Sequence, residues 1–310
     1  MQIGFVGLGR MGANMVHRLR RDGDHAVVAF DPDAAARTAV EGFGATTVAS
    51  LAELVPQLQS PRSVWIMVPS GRITEQTITG LLESLSEGDT IIDGGNSNWH
   101  DTVARAERCA AKGVRLLDAG TSGGIWGLTI GYCLMVGGET DAVERLRPVF
   151  ETLAPPDGFL HVGAAGSGHY VKMVHNGIEY GMLQAYAEGF AVLEASKAYP
   201  ELDLHAIAHL WNQGSVVRSW LLELAERAFE RDPRLESLRG WVDDSGEGRW
   251  TIDEAMDLSV PTPVLVLSLM ARYQSRLPDG FGNKVIAALR NEFGGHAVKS
   301  EEAPTPATPA

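Results

Sequence analysis

Cysteine is scarce in this chain: 310 residues contain two, Cys109 and Cys133. Two thiols make neither a disulfide framework nor a metal-ligand cluster, so no metal is expected and a reducing, cytoplasmic setting fits best. Basic residues are also in deficit, with 26 Lys and Arg against 39 Asp and Glu and a formal net charge of −13. That balance argues against nucleic acid and against anionic membranes as partners. A small anion can still bind, but only through a locally basic pocket. Long hydrophobic runs are missing: the most apolar stretch near the C-terminus, VLVLSLMA, is too short to span a bilayer. The opening MQIGFVGLGR lacks the basic n-region and cleavage site of a signal peptide. No internal repeat is visible.

The chain does have enough apolar material for a core, at 45% hydrophobic content, and its length suggests two domains. In the first half, short apolar runs alternate with helical patterns. QIGFVGLG reads as a strand and MGANMVHRLRRDG as a helix; AVVAFD, SVWIMVPS, DTIIDGGNS and VRLLDAGT read as further strands. Continuous apolar strands separated by helices imply a parallel, doubly wound sheet. After about residue 163 the strand pattern stops. The expected architecture is an α/β domain over 1–163 and an all-α domain over 164–296. A disordered tail rich in Pro, Ala and Thr follows over 297–310.

GLGRMG places Gly7, Gly9 and Gly12 in the G-x-G-x-x-G spacing, with Leu8, Arg10 and Met11 between them. With 35 glycines the spacing alone is weak, but here it follows a strand and opens a helix. A helix N-terminus in that position holds a pyrophosphate, and the pattern predicts a Rossmann-type sheet. Asp31 ends the second strand, where an acidic residue grips the adenosine ribose hydroxyl. A carboxylate about 4 Å from a 2′-phosphate costs a few kcal/mol even at an effective dielectric of 20. NAD is therefore expected over NADP; Arg37, six residues on, can face either way.

Ligands bind at the carboxyl ends of strands in such sheets. Three ends stand out: MVPS with Val68 and Pro69, GGNS with Asn96, and TSGG with Ser122, Gly123 and Gly124. Val68 and Pro69 can wall a cofactor. The glycines of TSGG let backbone N–H groups cradle a carboxylate. Each stretch is equally readable as ordinary turn chemistry.

KMVHNGIEYG sets Lys172, His175, Asn176 and Glu179 at spacings of i, i+3, i+4 and i+7, one face of a helix. The helix reads from Gly168 to Ser196 and carries few charges, so it is expected to be buried. Val171, Val174 and Ile178 are expected to form its core-facing stripe. Lys172 and Glu179 lie roughly 10 Å apart along the axis and do not neutralise each other. Because an unpaired buried charge costs several kcal/mol, this face meets water, other charges or a ligand.

Taken together, these segments resemble the 6-phosphogluconate dehydrogenases, within the β-hydroxyacid dehydrogenases. The resemblance runs from residue 1 to about 296, through GLGRMG, GNS, TSGG, GHYVKMVHNGIEYG, GEGRWT and RNEFGGH. It resembles a short, often NAD-preferring branch that lacks a second copy of the helical region. The resemblance assigns nucleotide binding to the α/β domain over 1–163, and substrate binding with dimerisation to the all-α domain over 164–296. The resemblance implies oxidative decarboxylation of 6-phosphogluconate to ribulose 5-phosphate, a step of the pentose phosphate pathway. Lys172 is implied as the general base and Glu179 as the acid. Asn96, Ser122, Gly123, Gly124, His175 and Asn176 are implied as holding the carboxylate and hydroxyls. Tyr180, Arg272, Arg290 and His296 are implied at the phosphate, the last two reaching a neighbouring subunit in a homodimer or homotetramer.

One departure concerns that phosphate site. Where the long form of the family has a lysine five residues before the tryptophan, this chain has Ser245, with Asp243, Asp244 and Glu247 nearby and Arg249 as a compensating cation. Non-decarboxylating relatives acting on 3-hydroxyisobutyrate or tartronate semialdehyde share the glycine fingerprint and the Lys-x-x-x-Asn spacing. Glu179, Trp250 and Arg272 favour the decarboxylating enzyme. A nucleotide-sensing protein without catalysis is a third reading, opposed by the intact Lys172, Asn176 and Glu179.

Overall fold

The computed structural model describes residues 1–277, 279–294 and 297–299. Eight strands form one sheet: β1 (Gln2–Val6), β2 (Ala26–Phe30), β3 (Thr46–Thr47), β4 (Ser63–Ile66), β5 (Thr90–Asp93), β6 (Arg115–Ser122), β7 (Cys133–Gly137) and β8 (Phe159–Gly163). The order is β3-β2-β1-β4-β5-β6-β7-β8. Helices α1 (Arg10–Asp22), α2 (Ala34–Glu41), α3 (Leu51–Leu54), α4 (Arg72–Leu81), α5 (Trp99–Ala110), α6 (Gly127–Ile130) and α7 (Thr140–Leu153) connect the strands.

Alternate strand residues feed two cores, one on each face, as the period of two requires. Ile3, Phe5, Trp65 and Leu117 join the cluster that includes Met15 and Phe150. Val6, Val64, Ile66 and Leu116 join the cluster that includes Leu54 and Ile78. This two-sided burial is why the strands read as unbroken apolar runs. The strand order reverses between β1 and β4, which opens a crevice at their carboxyl ends.

β7, β8 and the two-residue β3 go beyond the strands named from the sequence. CLMVG and FLHVG are short, and glycines follow both. The β6–β7 pair is antiparallel, unlike every other pair in the sheet. Only residues 123–132 join these two strands. A parallel return needs a crossover of a dozen residues or more, so the chain turns straight back.

The remaining helices are α8 (Ser167–Glu194), α9 (Leu204–Asn212), α10 (Trp220–Arg231), α11 (Glu247–Asp257), α12 (Pro263–Ser275) and α13 (Phe281–Gly294). Two compact units form: Met1–Glu179 with Gly246–Pro261, and Tyr180–Ser245 with the described residues from Thr262 on. The strands end at Gly163, where composition sets the first boundary, yet the first unit continues through half of α8 and takes in α11. The second unit has its own core of Phe190, Leu204, Ala208, Leu222 and Phe229. The expected tail lies outside the described residues from 300 on. No described helix is long and apolar enough to cross a membrane.

Candidate active site

The turn from β1 into α1 forms a cradle. Gly7 has φ of 94°, and a Cβ there would meet the Met67 carbonyl oxygen at 2.3 Å, so a side chain is excluded twice over. A Cβ on Gly12 would lie 2.0 Å from the Gly7 carbonyl oxygen, which brings α1 hard against the turn. Gly9, by contrast, faces open space. It caps α1 without a side-chain hydrogen bond, and no acidic residue occupies the first turn. The positive end of the helix is thus free for an anion. A cavity of about 390 Å³ opens there, lined by Gly9 to Gly12, by Val68 and Pro69 after β4, by Asn96 after β5 and by Thr121 of β6.

Asp31 stands at the end of β2. Its Oδ2 accepts the Leu8 N–H at 2.7 Å and its Oδ1 accepts the Asp33 N–H at 2.8 Å. Asp31 therefore fixes the glycine turn as well as presenting a carboxylate. Arg37 turns back toward it, donating from Nη1 to the Asp31 carbonyl oxygen at 2.6 Å. Buried Asp93 shapes the GGNS turn: it accepts the Gly95 N–H at 3.1 Å and the Ser97 hydroxyl at 2.7 Å, which leaves Asn96 exposed. An open glycine cradle, an uncapped helix end and a carboxylate at the second strand fit a dinucleotide.

Beside the cradle, β6 carries the seat of α8. Asp118, Gly120 and Ser122 share one face of the strand. Asp118 is buried and accepts the N–H groups of Gly166 and His169, each at 2.7 Å, so it caps the start of α8. His169 continues this anchor with Nδ1 at 2.7 Å from the Thr102 hydroxyl. Two residues along, a Cβ on Gly120 would meet Lys172 Cβ at 2.5 Å and the Gly168 carbonyl oxygen at 2.6 Å. Glycine alone lets the helix come this close. Ser122 begins the Ser122–Gly123–Gly124 loop and pairs across the hairpin with Cys133.

This seat reverses the orientation expected for α8. Lys172 is 6% exposed and Asn176 8%, while Val171 and Ile178 are 39% and 54% exposed. The polar face packs inward because Gly120 and the Asp118 cap draw it onto β6; the valine and isoleucine face outward. Burial lowers the pKa of Lys172, against the opposing charges of Glu179, Glu247 and Cys133. Burial also lowers that of His175, helped by the Lys172 charge. His175 Nδ1 lies 2.9 Å from Asn176 Oδ1. Lys172, His175, Asn176 and Glu179 thus line one face within the first unit.

The second unit gathers another group. The Arg272 guanidinium lies 3.5 Å from the centroid of the Tyr180 ring and donates to the Asp243 carbonyl oxygen at 2.9 Å. The Ser245 N–H donates to the Tyr180 hydroxyl at 3.3 Å. Glu247 does not join this group, contrary to the sequence-based expectation that it crowds the phosphate site with Asp243 and Asp244. It is buried in the first unit, and its charge acts on Lys172. Arg290 is exposed on α13, with no side-chain hydrogen bond or ion pair among the described residues. His296 lies outside the described residues. Sequence reasoning missed Asp118, Gly120 and Thr251 as supports of the site; the glycine of DAGTSGG and the threonine of GEGRWT were their only local signals.

A glycine cradle at the switch point of a doubly wound sheet defines a dinucleotide-binding domain, and the buried lysine nearby suits proton chemistry on a bound hydroxyacid. Comparison with known proteins narrows this class. Residues 2–166 match the NAD binding domain of 6-phosphogluconate dehydrogenase, and residues 168–291 match its C-terminal domain. The chain is 46% identical over 301 residues to a putative 6-phosphogluconate dehydrogenase of Bacillus subtilis, covering 97% of this chain and all of that one. It is 45% identical over 304 residues to the NAD(+)-dependent, decarboxylating 6-phosphogluconate dehydrogenase of Haloferax volcanii, with the same coverage. The solved 6-phosphogluconate dehydrogenase of Plasmodium falciparum superposes with a TM-score of 0.82 at 26% identity, over 98% of this chain and 67% of that one. The chain belongs to the 6-phosphogluconate dehydrogenase family.

Proposed function

We propose that this protein oxidises and decarboxylates 6-phosphogluconate to ribulose 5-phosphate and CO2 with NAD as the electron acceptor. The observation that carries the reading is the buried face of Lys172 and Asn176, with Glu179 two turns on from the lysine, beside the loops that end β5 and β6.

Bound NAD supplies the hydride acceptor. Lys172, whose pKa burial lowers, takes the proton of the C3 hydroxyl as C3 gives up a hydride. C3 becomes a ketone β to the carboxylate, and the Lys172 ammonium polarises its oxygen. The C1–C2 bond then breaks, CO2 leaves, and the Lys172 ammonium gives its proton to the former ketone oxygen as the electron pair passes into an enediol. Glu179 protonates C1 of the five-carbon enediol while the C2 hydroxyl returns its proton to Lys172, which completes ribulose 5-phosphate. Asn96, His175, Asn176 and the Ser122–Gly124 loop orient the carboxylate and hydroxyls. Tyr180 and Arg272 hold the phosphate, and Arg290 and His296 serve that end of a neighbouring subunit's substrate.

NAD is preferred because the Asp31 carboxylate, tied to Leu8 and Asp33, repels a 2′-phosphate. Self-association into at least a dimer accords with the exposed apolar face of α8 (Val171, Ile178, Met182) and with Phe281 and Ile286 on α13. A cytoplasmic location accords with the free thiols. The test is a substrate panel with NAD: turnover of 6-phosphogluconate, with gluconate and 3-hydroxyisobutyrate inert and Lys172→Met inactive, supports the reading. Turnover of the unphosphorylated acids alone refutes it.

A further inference from the structure

We propose that Glu247 is the counter-carboxylate of Lys172, a buried acid on α11 that acts through the lysine by supporting its ammonium form between oxidation and decarboxylation. This rests on the reading of Lys172 as the base of the reaction.

The placement comes from how α11 meets α8. The Thr251 hydroxyl lies 2.7 Å from the Met173 carbonyl oxygen and 2.8 Å from that of Glu247. One hydroxyl therefore ties the first turn of α11 to the residue next to Lys172. A turn further along α8, Gly177 lets the helices touch: a Cβ there would lie 2.7 Å from Thr251 Cγ2. Glu247 precedes Thr251 by one helical turn and so shares its face.

Glu247 is 4% exposed, and its Oε2 is buried with no hydrogen-bond partner among the described residues. A carboxylate removed from water without a partner is costly. Its complement is Lys172, itself buried, on the helix that α11 covers. The other groups around the lysine are His175 and Glu179 on α8 and Cys133 on β7. From β6, Asp118 is engaged by the N–H groups at the start of α8. Glu254 of α11 is engaged by the Tyr170 hydroxyl at 3.2 Å. Asp253 and Asp257 of α11 are exposed, and Glu247 is the buried carboxylate of α11 whose charge acts on Lys172.

The chemistry needs such a group. Lys172 has to be neutral to take the hydroxyl proton, which burial favours, and then has to persist as an ammonium ion until CO2 has left. Burial opposes that second state. A fixed carboxylate restores it without accepting the proton, which stays on Nζ until the ketone oxygen or the enediol takes it back.

The test is the pH profile of kcat/KM for 6-phosphogluconate in the wild type, Glu247→Gln, Glu247→Asp and Lys172→Met. Removing the negative charge lowers the Lys172 pKa, so the acidic limb in Glu247→Gln moves down by about one pH unit. Glu247→Asp, which keeps the charge, stays near the wild type. Glu247→Ala gives the same downward shift and serves if the amide variant does not fold. An unmoved limb in the neutral variants overturns the role of Glu247. A Lys172→Met variant that keeps its rate and its limb overturns the reading of Lys172 instead, whatever Glu247 does.

Discussion

Gly120 is the floor under Lys172, and one added methyl group tests whether that floor sets the reaction geometry. A Cβ at position 120 would sit 2.5 Å from Lys172 Cβ, where ordinary contact begins at 3.4 Å. The helix must therefore retreat by about 0.9 Å (3.4 minus 2.5), since the neighbouring clash at 2.6 Å is with the Gly168 backbone and cannot be relieved by a rotamer change. A misplacement of about 1 Å at a reacting group costs on the order of a hundredfold in rate, equivalent to about 2.7 kcal/mol. Overpacking of this kind also destabilises by about 1–3 kcal/mol, which a domain of this size survives. Gly120→Ala is expected to stay folded by circular dichroism and to bind NADH as the wild type does. Its kcat for 6-phosphogluconate is expected to fall about a hundredfold. A kcat within threefold of the wild type in a folded variant refutes the argument that the close approach of α8 to β6 positions Lys172.

Other outcomes follow from the same geometry. Asp31→Ser removes the carboxylate that opposes a 2′-phosphate and is expected to raise the NADP to NAD ratio of kcat/KM at least tenfold, read from initial rates. Of the two thiols, Cys133 is exposed while buried Cys109 has its pKa pushed up to about 11. A colorimetric disulfide reagent should therefore titrate one thiol in the folded protein and the second only in denaturant. Burial holds the imidazole of His25 below 6.5. Folding then favours its neutral form, so its contribution to stability is complete above pH 6.5 and is lost as the pH falls toward the lower folded-state value. The fall in melting temperature between pH 7 and pH 5 should be shallower in His25→Gln than in the wild type.

The cradle was legible in the sequence because its parts are local. The glycine spacing, the preceding strand and Asp31 all follow from a short βαβ unit, and each rests on backbone needs that few residues satisfy. The polar face of α8 was legible as a pattern, but its direction was not. A helical period says that Lys172 and Asn176 share a side, not that this side lies inward, and the deciding residues, Asp118 and Gly120, sit about 50 positions earlier on another element. Glu247 was misplaced for the same reason. Its sequence places it two residues from Ser245, beside the expected phosphate site, whereas its contacts are set by Thr251 on Met173. β7 and β8 escaped because five-residue runs among glycines carry little periodicity, and the antiparallel turn between β6 and β7 follows from loop length rather than strand composition.

In the proposed mechanism one buried lysine serves both the oxidation and the loss of CO2. The simultaneous appearance of NADH and CO2 from 6-phosphogluconate, with NAD as the only acceptor, tests this most directly. One CO2 is expected for each NADH throughout the time course, and neither product from Lys172→Met. NADH formed without CO2, or in clear excess over it, refutes the mechanism and assigns the chain to non-decarboxylating hydroxyacid oxidation.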